Sequence, residues 1–405
     1  MLGAIYVGLA GMNAYAKGLD VISNNVANLN TTGFKAGLAS FADVVYRNNS
    51  GAMPGSVGTG ISGAGVHVNA ESQNFRQGEF RETNNDLDAA LQGEGFFVLE
   101  RDGQRYYSRA GTFVFDEDGI LIESISGAQV MVSSETSSFG NLQRDPHLTF
   151  PPRATTEVHL TGTLARTSTA QAPSPTVMNV RDTAGNEQAL NVRYTRDQTN
   201  ELLWHVEVTR ANTTEPILGS GTLLFNADGT PSAENAAIQV TVTPDNLPAF
   251  TFSLNFGTPG SYAGVTSLLN STNSAVQVLR HDGLQFGTHA KTEFDERGNV
   301  KVTYSNGETK IIGRLVLASF DSSGDLASIG DSLYVTQEGR APRLAAGMEF
   351  GLGRVAGRNL EMSNVELTEE FANLIIVQRG YQASSQMTSV ANEMLQQLLS
   401  MQDRR

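Results

Sequence analysis

The sequence contains no cysteine, one tryptophan and six scattered histidines. Without cysteine the chain forms no disulfide, offers no thiol nucleophile and supplies no thiolate ligand to a metal. The histidines lie far apart, so none forms the pair that a helical zinc site needs. We therefore expect no metal site and no cofactor.

Charge is also scarce, and it is mostly of one sign. Charged residues make up 17% of the chain, yet the net charge is −14. Such an acidic surface repels the phosphates of nucleic acids and anionic lipids. No run of about 20 apolar residues is present, although a membrane-spanning helix needs one. The apolar N-terminal stretch lacks the preceding Lys or Arg of a signal peptide. We expect neither nucleic acid nor membrane as a partner, and export without a cleaved signal peptide.

Motifs for catalysis are incomplete. Residues 58–63 fit the pattern G-x-G-x-x-G, but no predicted strand precedes them and no helix follows. Residues 116–119 resemble the start of a calcium loop and lack its remaining ligands. Asp86 and Asp88 are flanked by asparagines and are interpreted as loop residues. The sequence thus predicts no catalytic residue, and an extracellular β-sandwich enzyme is the weakest alternative.

The first 28 residues carry apolar side chains at seven-residue intervals, which is typical of a helix that faces another helix along its length. Such a helix would be about 40 Å long. It carries only Lys17 and Asp20 as charges, so it is marginal alone in water and needs a partner. The N-terminal seam consists of Leu2, Ile5, Leu9, Met12, Leu19 and Val26.

Residues 363–401 predict a second long helix. Ser363 with Glu366 has the form of a capping box, and Thr368 gives a second start signal. Gly380 either costs this helix about 1 kcal/mol or allows close approach of a neighbour. We expect the terminal helices to pair outside the domain core, with each other or with other subunits; the alternative is two amphipathic helices on one globular domain. The C-terminal seam consists of Leu367, Phe371, Leu374, Ile376, Ala383, Met387, Val390, Met394 and Leu398.

The chain between these helices reads as β structure. A turn of the form Phe-Asx-x-x-Gly recurs at residues 115–119, 225–229, 294–298 and 320–324, which predicts four hairpins of one design. Strict alternation of apolar and polar residues within 150–275 indicates antiparallel strands with one wet face, hence a sandwich or barrel.

The sequence therefore predicts an α+β protein, mainly β, whose N- and C-terminal helices form a coiled-coil inner domain. Two antiparallel β domains lie between them, the outer one inserted in the other. The expected parts are a helical domain of 1–35 with 363–405, a Gly-rich linker at 36–70, a middle β domain of 71–145 with 276–362, and an outer β domain at 146–275.

Five stretches, in order along the chain, resemble the bacterial flagellar rod and hook axial proteins. They are residues 23–35 (SNNVANLNTTGFK), 83–97, 107–113 (YSRAGTF), 357–367 and 378–382 (QRGYQ). The residues that carry the resemblance include Asn24, Asn25, Asn28, Thr32, Gly33, Phe34, Lys35, Gly93, Gly95, Phe96, Phe97, Arg109, Gly111, Ser363 and Asn364.

The resemblance implies a helical homopolymer in which the terminal helices build an inner tube around a channel and the β domains stack outside. It further implies an extracellular place in the flagellum. The implied partners are the distal rod protein, the hook cap protein, the hook–filament junction protein and the flagellar export apparatus.

The resemblance leaves two roles within this family, that of a distal rod subunit and that of a hook subunit. Distal rod subunits resemble residues 1–145 joined almost directly to 276–405, whereas the block at 150–275 resembles the outer domain of hook subunits. The insert favours a hook subunit, part of a curved tube that transmits torque from rod to filament while bending. A distal rod subunit and a secreted β-domain adhesin are the alternatives.

Overall fold

The computed structural model describes residues 2–47, 61–133, 139–166, 174–211, 216–235, 237–269, 271, 273–336 and 341–402. These residues form two long α-helices, at opposite ends of the chain, and 29 β-strands between them. The fold is thus mainly β with two helices, as the sequence predicts.

The helices are α1 (Leu2–Ala27) and α2 (Leu367–Gln402). The first strands are β1 (Gly37–Arg47), β2 (Ile61–Gln73), β3 (Phe80–Glu82), β4 (Ala89–Gln92), β5 (Phe96–Arg101), β6 (Gln104–Ser108), β7 (Phe113–Phe115), β8 (Leu121–Glu123), β9 (Gln129–Ser133) and β10 (Phe139–Asn141). The next are β11 (Thr149–Phe150), β12 (Glu157–Ala165), β13 (Thr176–Arg181), β14 (Glu187–Arg196), β15 (Leu203–Arg210), β16 (Ile217–Leu224), β17 (Ile238–Val242), β18 (Phe250–Asn255), β19 (Val265–Leu268) and β20 (Ala275–His281). The last are β21 (Gly287–Phe294), β22 (Asn299–Tyr304), β23 (Thr309–Leu315), β24 (Leu317–Ser319), β25 (Leu326–Gly330), β26 (Leu333–Thr336), β27 (Arg343–Ala345), β28 (Arg354–Gly357) and β29 (Asn359–Glu361).

The chain divides into two compact units. The first unit comprises Met1–Asp145, Lys291–Val302 and Lys310–Arg405, and the second comprises Pro146–Ala290 and Thr303–Thr309. The expected boundary at 275 is therefore too early. Strand β20 begins there and pairs antiparallel with β12 of the second unit, so residues 275–281 complete a sheet of that unit.

The second unit has two sheets around one apolar core. One sheet has the order β13-β14-β15-β16, and the other has the order β17-β18-β12-β19, with β20 also paired to β12. Their inward side chains, among them Trp204, Val206 and Phe252, are almost completely buried. The expectation of purely antiparallel strands is wrong here, because β12 pairs parallel with β18 and with β19. Alternation of apolar and polar residues shows which face of a strand is exposed to solvent. It does not show whether the neighbouring strands run parallel or antiparallel.

The core of the first unit lies around β5, which pairs antiparallel with β6, β9 and β24. Leu99, Phe97 and Phe113 are buried there with Leu121, and the Phe97 and Phe113 rings meet edge to face at 5.2 Å. Strand β4 pairs with β28, and β3 pairs with β29. Strands from the N-terminal part of this unit thus pair with the strands that precede α2.

The expected linker at 36–70 is replaced by a β ribbon in the part that the structure describes. Strands β1 and β2 pair antiparallel from Gly37↔Gln73 to Arg47↔Ile61. The ribbon packs along α1, where the Phe41 ring lies 5.5 Å from the Tyr15 ring. Glycine content alone suggested a linker, but backbone pairing between its first and last parts orders these residues. The other linker residues, 48–60, lie outside the described residues, as does the start of the 58–63 pattern.

Three of the four predicted Phe-Asx-x-x-Gly turns share one conformation. Gly119, Gly229 and Gly298 have φ of 73°, 90° and 79°, as a turn-closing left-handed glycine requires. In each turn the glycine N–H donates to the carbonyl of the Asp or Asn three residues earlier. The fourth turn differs, since Ser323–Asp325 forms a short 3-10 helix. The motif therefore predicts three turns correctly, but only those at 115–119 and 294–298 join strands that pair with each other. The strands before and after 225–229, β16 and β17, lie in different sheets, so that hairpin and the fourth are predicted wrongly.

Candidate functional site

The two terminal helices contact each other along an antiparallel interface. A Cβ added at Gly11 of α1 would lie 2.6 Å from Ser384 Oγ of α2, and one added at Gly18 would lie 3.3 Å from Val377 Cγ1. Contacts that advance along α1 thus retreat along α2. At one end of the interface Gly8 lies close to Thr388, and at the other end Asn25 is hydrogen-bonded to Glu370.

Small residues make this interface. Gly8 and Gly11 on α1 meet Thr388 and Ser384 on α2, and Gly18 meets Val377, so the two backbones approach closely. At Gly380 a Cβ would lie 2.6 Å from Cζ of Tyr15. The structure supports the second explanation for Gly380, because the Tyr15 side chain of α1 approaches it closely. A search for large apolar side chains misses these positions, although small residues spaced by three, four or seven are a readable signal.

The predicted seam is not what joins the two helices within the chain. Several of its members are largely exposed, with Leu9 at 47%, Met387 at 59% and Ile376 at 66%. Leu367, Phe371, Ala383, Val390, Met394 and Leu398 are exposed as well. Ile5, Met12, Leu19, Val26 and Leu374 are half-buried, and the side chain of Leu2 lies outside the described residues. The helix pair therefore turns apolar side chains to solvent, and those of Ile376, Met387, Val390, Met394 and Leu398 form a stripe along α2.

A buried ion cluster lies where the terminal segments join the β core. Lys35 Nζ is 2.6 Å from Glu361 Oε1, and both side chains are fully buried. Arg109 Nη1 lies 3.5 Å from the other oxygen, Glu361 Oε2. Lys35 also donates to the carbonyl of Arg76, and the Gly78 N–H donates to Glu361 Oε1. One carboxylate thus joins three separate stretches of chain.

Burial dominates the electrostatics of this cluster. It lowers the pKa of Lys35 and the pKa of Arg109, while the Glu361 carboxylate opposes both shifts. The Arg109 guanidinium lies 5.1 Å from the centre of the Phe96 ring and donates to the carbonyls of Leu91 and Gly93. Burial in such a network makes the charges structural, because each loses its water and keeps only these partners.

Two asparagines fasten the helices to the same region. The Asn25 side chain donates to Glu370 Oε1 at 2.9 Å and accepts from the Gly37 N–H at 2.8 Å. Asn364 accepts from the Ala36 N–H at 2.8 Å and donates to the carbonyl of Asn74 at 2.7 Å. Both side-chain amides form hydrogen bonds with backbone groups that lie at or beyond the ends of strands. Burial raises the pKa of Glu370, and the Asn25 hydrogen bond opposes that shift.

The glycines of the resemblance occupy crowded or left-handed positions. Gly33 has a φ of 68°, and a Cβ there would lie 2.5 Å from the Ala110 nitrogen. Gly93 and Gly95 have φ of 110° and 125°. At Gly111 a Cβ would overlap the carbonyl oxygen of Ala89. No other residue type fits these positions without strain.

The remaining motif residues have separate roles around this junction. Asn28 donates to Asn24, Thr31 donates to Asn28, and Ser332 donates to the carbonyl of Thr32. Phe34 is half-buried, while Phe97 belongs to the core. Ser363 accepts from the Val365 N–H instead of capping α2, which begins at Leu367. The predicted capping box is therefore wrong, because the helix starts beyond it.

Nothing in the described part of the chain resembles a reaction centre. No group of three or more His, Asp or Glu side chains there is placed to hold a metal ion. No helix among the same residues is long and apolar enough to cross a membrane. The distinctive features are instead the exposed apolar stripe of the helices and the buried ion cluster of Lys35, Arg109 and Glu361.

Three descriptions of one group of protein families match parts of the chain. The family description "Flagella basal body rod protein" matches residues 5–35, "Flagellar hook protein FlgE/F/G D1 domain" matches 90–163, and "Flagellar basal body rod FlgEFG protein C-terminal" matches 356–401. The matched segments contain α1, the core around β5, and α2. The chain belongs to the family of bacterial flagellar rod and hook axial proteins.

The full-length relatives define its place in that family. The chain is 28% identical to the flagellar hook protein FlgE of Borreliella burgdorferi over 100% of both chains. It is 29% identical to the flagellar hook protein FlgE of Salmonella typhimurium over 97% of this chain and 98% of that one. A crystal structure of a Helicobacter pylori flagellar hook protein aligns with a TM-score of 0.47 and 13% identity over 70% of this chain and 100% of that chain. The chain is a hook protein, a structural subunit of the bacterial flagellar hook, and this family is not one of enzymes.

Proposed function

We propose that the chain polymerises into a curved, hollow helical tube whose inner layer is built from both terminal helices. The exposed apolar stripe on α1 and α2 carries this proposal. With the stripe included, eight side chains of the predicted seam are exposed besides Ala383 (Leu9, Leu367, Phe371, Ile376, Met387, Val390, Met394 and Leu398). Burying each adds about 1–2 kcal/mol, which is enough to favour association strongly.

The small-residue interface leaves the stripe available for contact with neighbouring subunits. Because Gly8, Gly11 and Gly18 bring α1 against α2 within one chain, the larger side chains remain on the outside of the pair. Coiled-coil packing between subunits then uses the members of the seam that stay exposed within the chain. Residues 1–35 and 363–405 form the inner domain in this proposal.

The β structure lies outside the inner tube in the same proposal. The chain carries a net charge of −14, so facing acidic surfaces of the β structure repel each other and are not locked together. Such contacts slide when the tube bends, while the inner layer stays connected and transmits torque from rod to filament. The tube works as a flexible universal joint and does no catalysis.

The proposed partners follow from this position. They are further copies of the chain, the distal rod protein at one end, and the hook cap or hook–filament junction protein at the other. The flagellar export apparatus delivers the subunit to the outside of the cell in this proposal. The distal rod and adhesin alternatives are not favoured, since the full-length relatives are hook proteins.

The test compares three variants in high-salt polymerisation followed by electron microscopy. Leu9→Asp and Met387→Asp place a charge in the exposed stripe and should abolish tubes. Ser385→Asp is the matched control, since Ser385 is exposed and lies about 200° around α2 from Met387. It should polymerise as the unmodified chain does. Tubes from Met387→Asp would contradict the proposal, and straight tubes from the unmodified chain would favour the rod alternative.

A further inference from the structure

A cavity of about 220 Å³ lies between α1, α2 and β1. Its lining contains the carboxylates of Glu366, Glu369 and Glu370 but no lysine or arginine among the described residues. Arg76 lies 3.5 Å from Glu366, but that pair is exposed and Arg76 is not part of the lining. The N-terminus of α2 carries a partial charge of only about +0.5, so it leaves most of the negative charge of the three carboxylates unbalanced.

Glu370 is the buried carboxylate of this cavity, with 7% exposure. Its Oε1 accepts a hydrogen bond from the Asn25 side chain at 2.9 Å. In the described part of the chain, no donor is bonded to its other oxygen, Oε2. Burial raises the pKa of Glu370, the Asn25 hydrogen bond opposes that shift, and the Glu369 charge adds to it. A cation in the cavity would supply the missing partner, because a charge-assisted hydrogen bond is stronger than a neutral one.

Arg379 is the only basic residue of α2, and it belongs to the QRGYQ segment that carries part of the family resemblance. Its side chain is exposed and, as far as the structure describes the chain, it forms no ion pair or side-chain hydrogen bond. It follows Ile376 of the exposed stripe by about one helical turn, and Ile376 also lines the cavity. Arg379 and the cavity thus border the surface that the proposed function assigns to neighbouring subunits, where coiled coils place the ion pairs that select a partner.

Arg379 cannot reach the cavity of its own chain. It lies about 14 Å beyond Glu370 along α2 and about 180° around the helix, which is farther than an arginine side chain extends. We propose that Arg379 of one subunit enters the cavity of a neighbouring copy and pairs there with Glu369 and Glu370. Its guanidinium matches the geometry of a carboxylate and is weakly hydrated, which suits a partly buried site. This contact rests on the proposed function and assigns to the stripe interface an ion pair that aligns neighbouring helices.

Charge reversal on separate subunits tests the contact. Arg379→Glu and Glu369→Arg both change exposed positions, and each should raise the critical concentration for polymerisation about tenfold or more, because like charges then face each other. An equimolar mixture of the two variants should polymerise nearly as the unmodified chain does, since each variant supplies the charge that the other lacks. Lys17→Glu is the matched control, because Lys17 is the only basic residue of α1 and is exposed outside the seam. It should change the critical concentration less than about twofold.

Glu370→Gln separates this contact from a role within one chain. It should stabilise the soluble subunit above about pH 5, because a neutral amide replaces a buried carboxylate, yet raise the critical concentration about tenfold. A change in the stability of the monomer alone would overturn the contact. So would a mixture of Arg379→Glu and Glu369→Arg that polymerises no better than either variant. Both results would leave the hook function intact when the unmodified chain forms tubes, whereas its failure to form them would refute that function.

Discussion

Lys35 and Glu361 are 326 residues apart in sequence, yet their side chains meet at 2.6 Å with no exposure to solvent. Lys35 follows α1 and Glu361 precedes α2, so this pair joins the two ends of the chain where they enter the β core. Arg109 and the Gly78 N–H complete the surroundings of the carboxylate. The pair is therefore placed to hold the helices in a fixed relation to the first unit's core.

Removing one member of this pair should destabilise the first unit strongly. Lys35→Met leaves Glu361 buried without its closest partner, and such a change costs about 3–5 kcal/mol. Chemical denaturation followed by the helical circular dichroism signal measures this, because α1 and α2 both belong to the first unit. Arg76→Met is the control, since the Arg76–Glu366 pair is exposed and contributes at most about 1 kcal/mol. Equal effects of the two variants would contradict a structural role for the buried pair.

Glycines at the helix interface should respond oppositely to the same substitution. Gly3→Ala adds a methyl with no neighbour within 4 Å and should stabilise α1 by about 1 kcal/mol. Gly8→Ala places its methyl against Thr388 and Ser384, so overpacking of about 1–3 kcal/mol should exceed that gain. Amide hydrogen exchange of the soluble subunit measures both changes. Thr388→Ala added to Gly8→Ala should restore protection, and failure to do so would refute the proposed clash.

Two glycines with left-handed backbone conformations allow the cost of backbone strain to be measured separately from the cost of steric crowding. Gly103 has a φ of 75° and nothing within 4 Å of an added Cβ, so Gly103→Ala should cost only about 1–2 kcal/mol. Gly33 has a similar φ of 68° but faces the backbone of Arg109 and Ala110. Gly33→Ala should cost about 1–3 kcal/mol more. Thermal unfolding compares them, and equal losses would show that the backbone contact at Gly33 yields easily.

The buried Glu370 should make the helix pair less stable as pH rises. Its pKa in the folded chain is raised above the ordinary value of 4.5, chiefly by burial and additionally by the Glu369 charge. Between the unfolded and folded pKa values the folded state binds more protons, so stability falls as pH increases through that window.

The matched variant for this effect is Glu370→Gln, which keeps an oxygen to accept from Asn25. It should remove this part of the pH dependence and raise the free energy of unfolding above pH 5 relative to the unmodified chain. Denaturant titrations from pH 4 to pH 8 measure the slope for both chains. Parallel slopes would show that Glu370 does not titrate differently in the folded state.

Local features of the chain were readable from the sequence. The heptad rows predicted a helix over 2–28, and α1 spans Leu2–Ala27. The dipeptide Asp102-Gly103 is typical of a tight hairpin turn, and both residues have positive φ between β5 and β6. Three of the Phe-Asx-x-x-Gly turns formed as predicted. Each of these features depends on residues close in sequence, whose backbone preferences act without help from the rest of the fold.

Contacts between distant residues required the tertiary structure. The β1–β2 ribbon, the parallel pairing of β12 and the meeting of Lys35 with Glu361 all join segments whose local pattern does not name a partner. The face by which α1 meets α2 belongs to this group, because glycine adds nothing to a hydrophobic pattern although it permits the closest packing. The sequence by itself determined the helices, the turns and the family; tertiary packing decided which helix face is buried within the chain and which apolar stripe stays exposed.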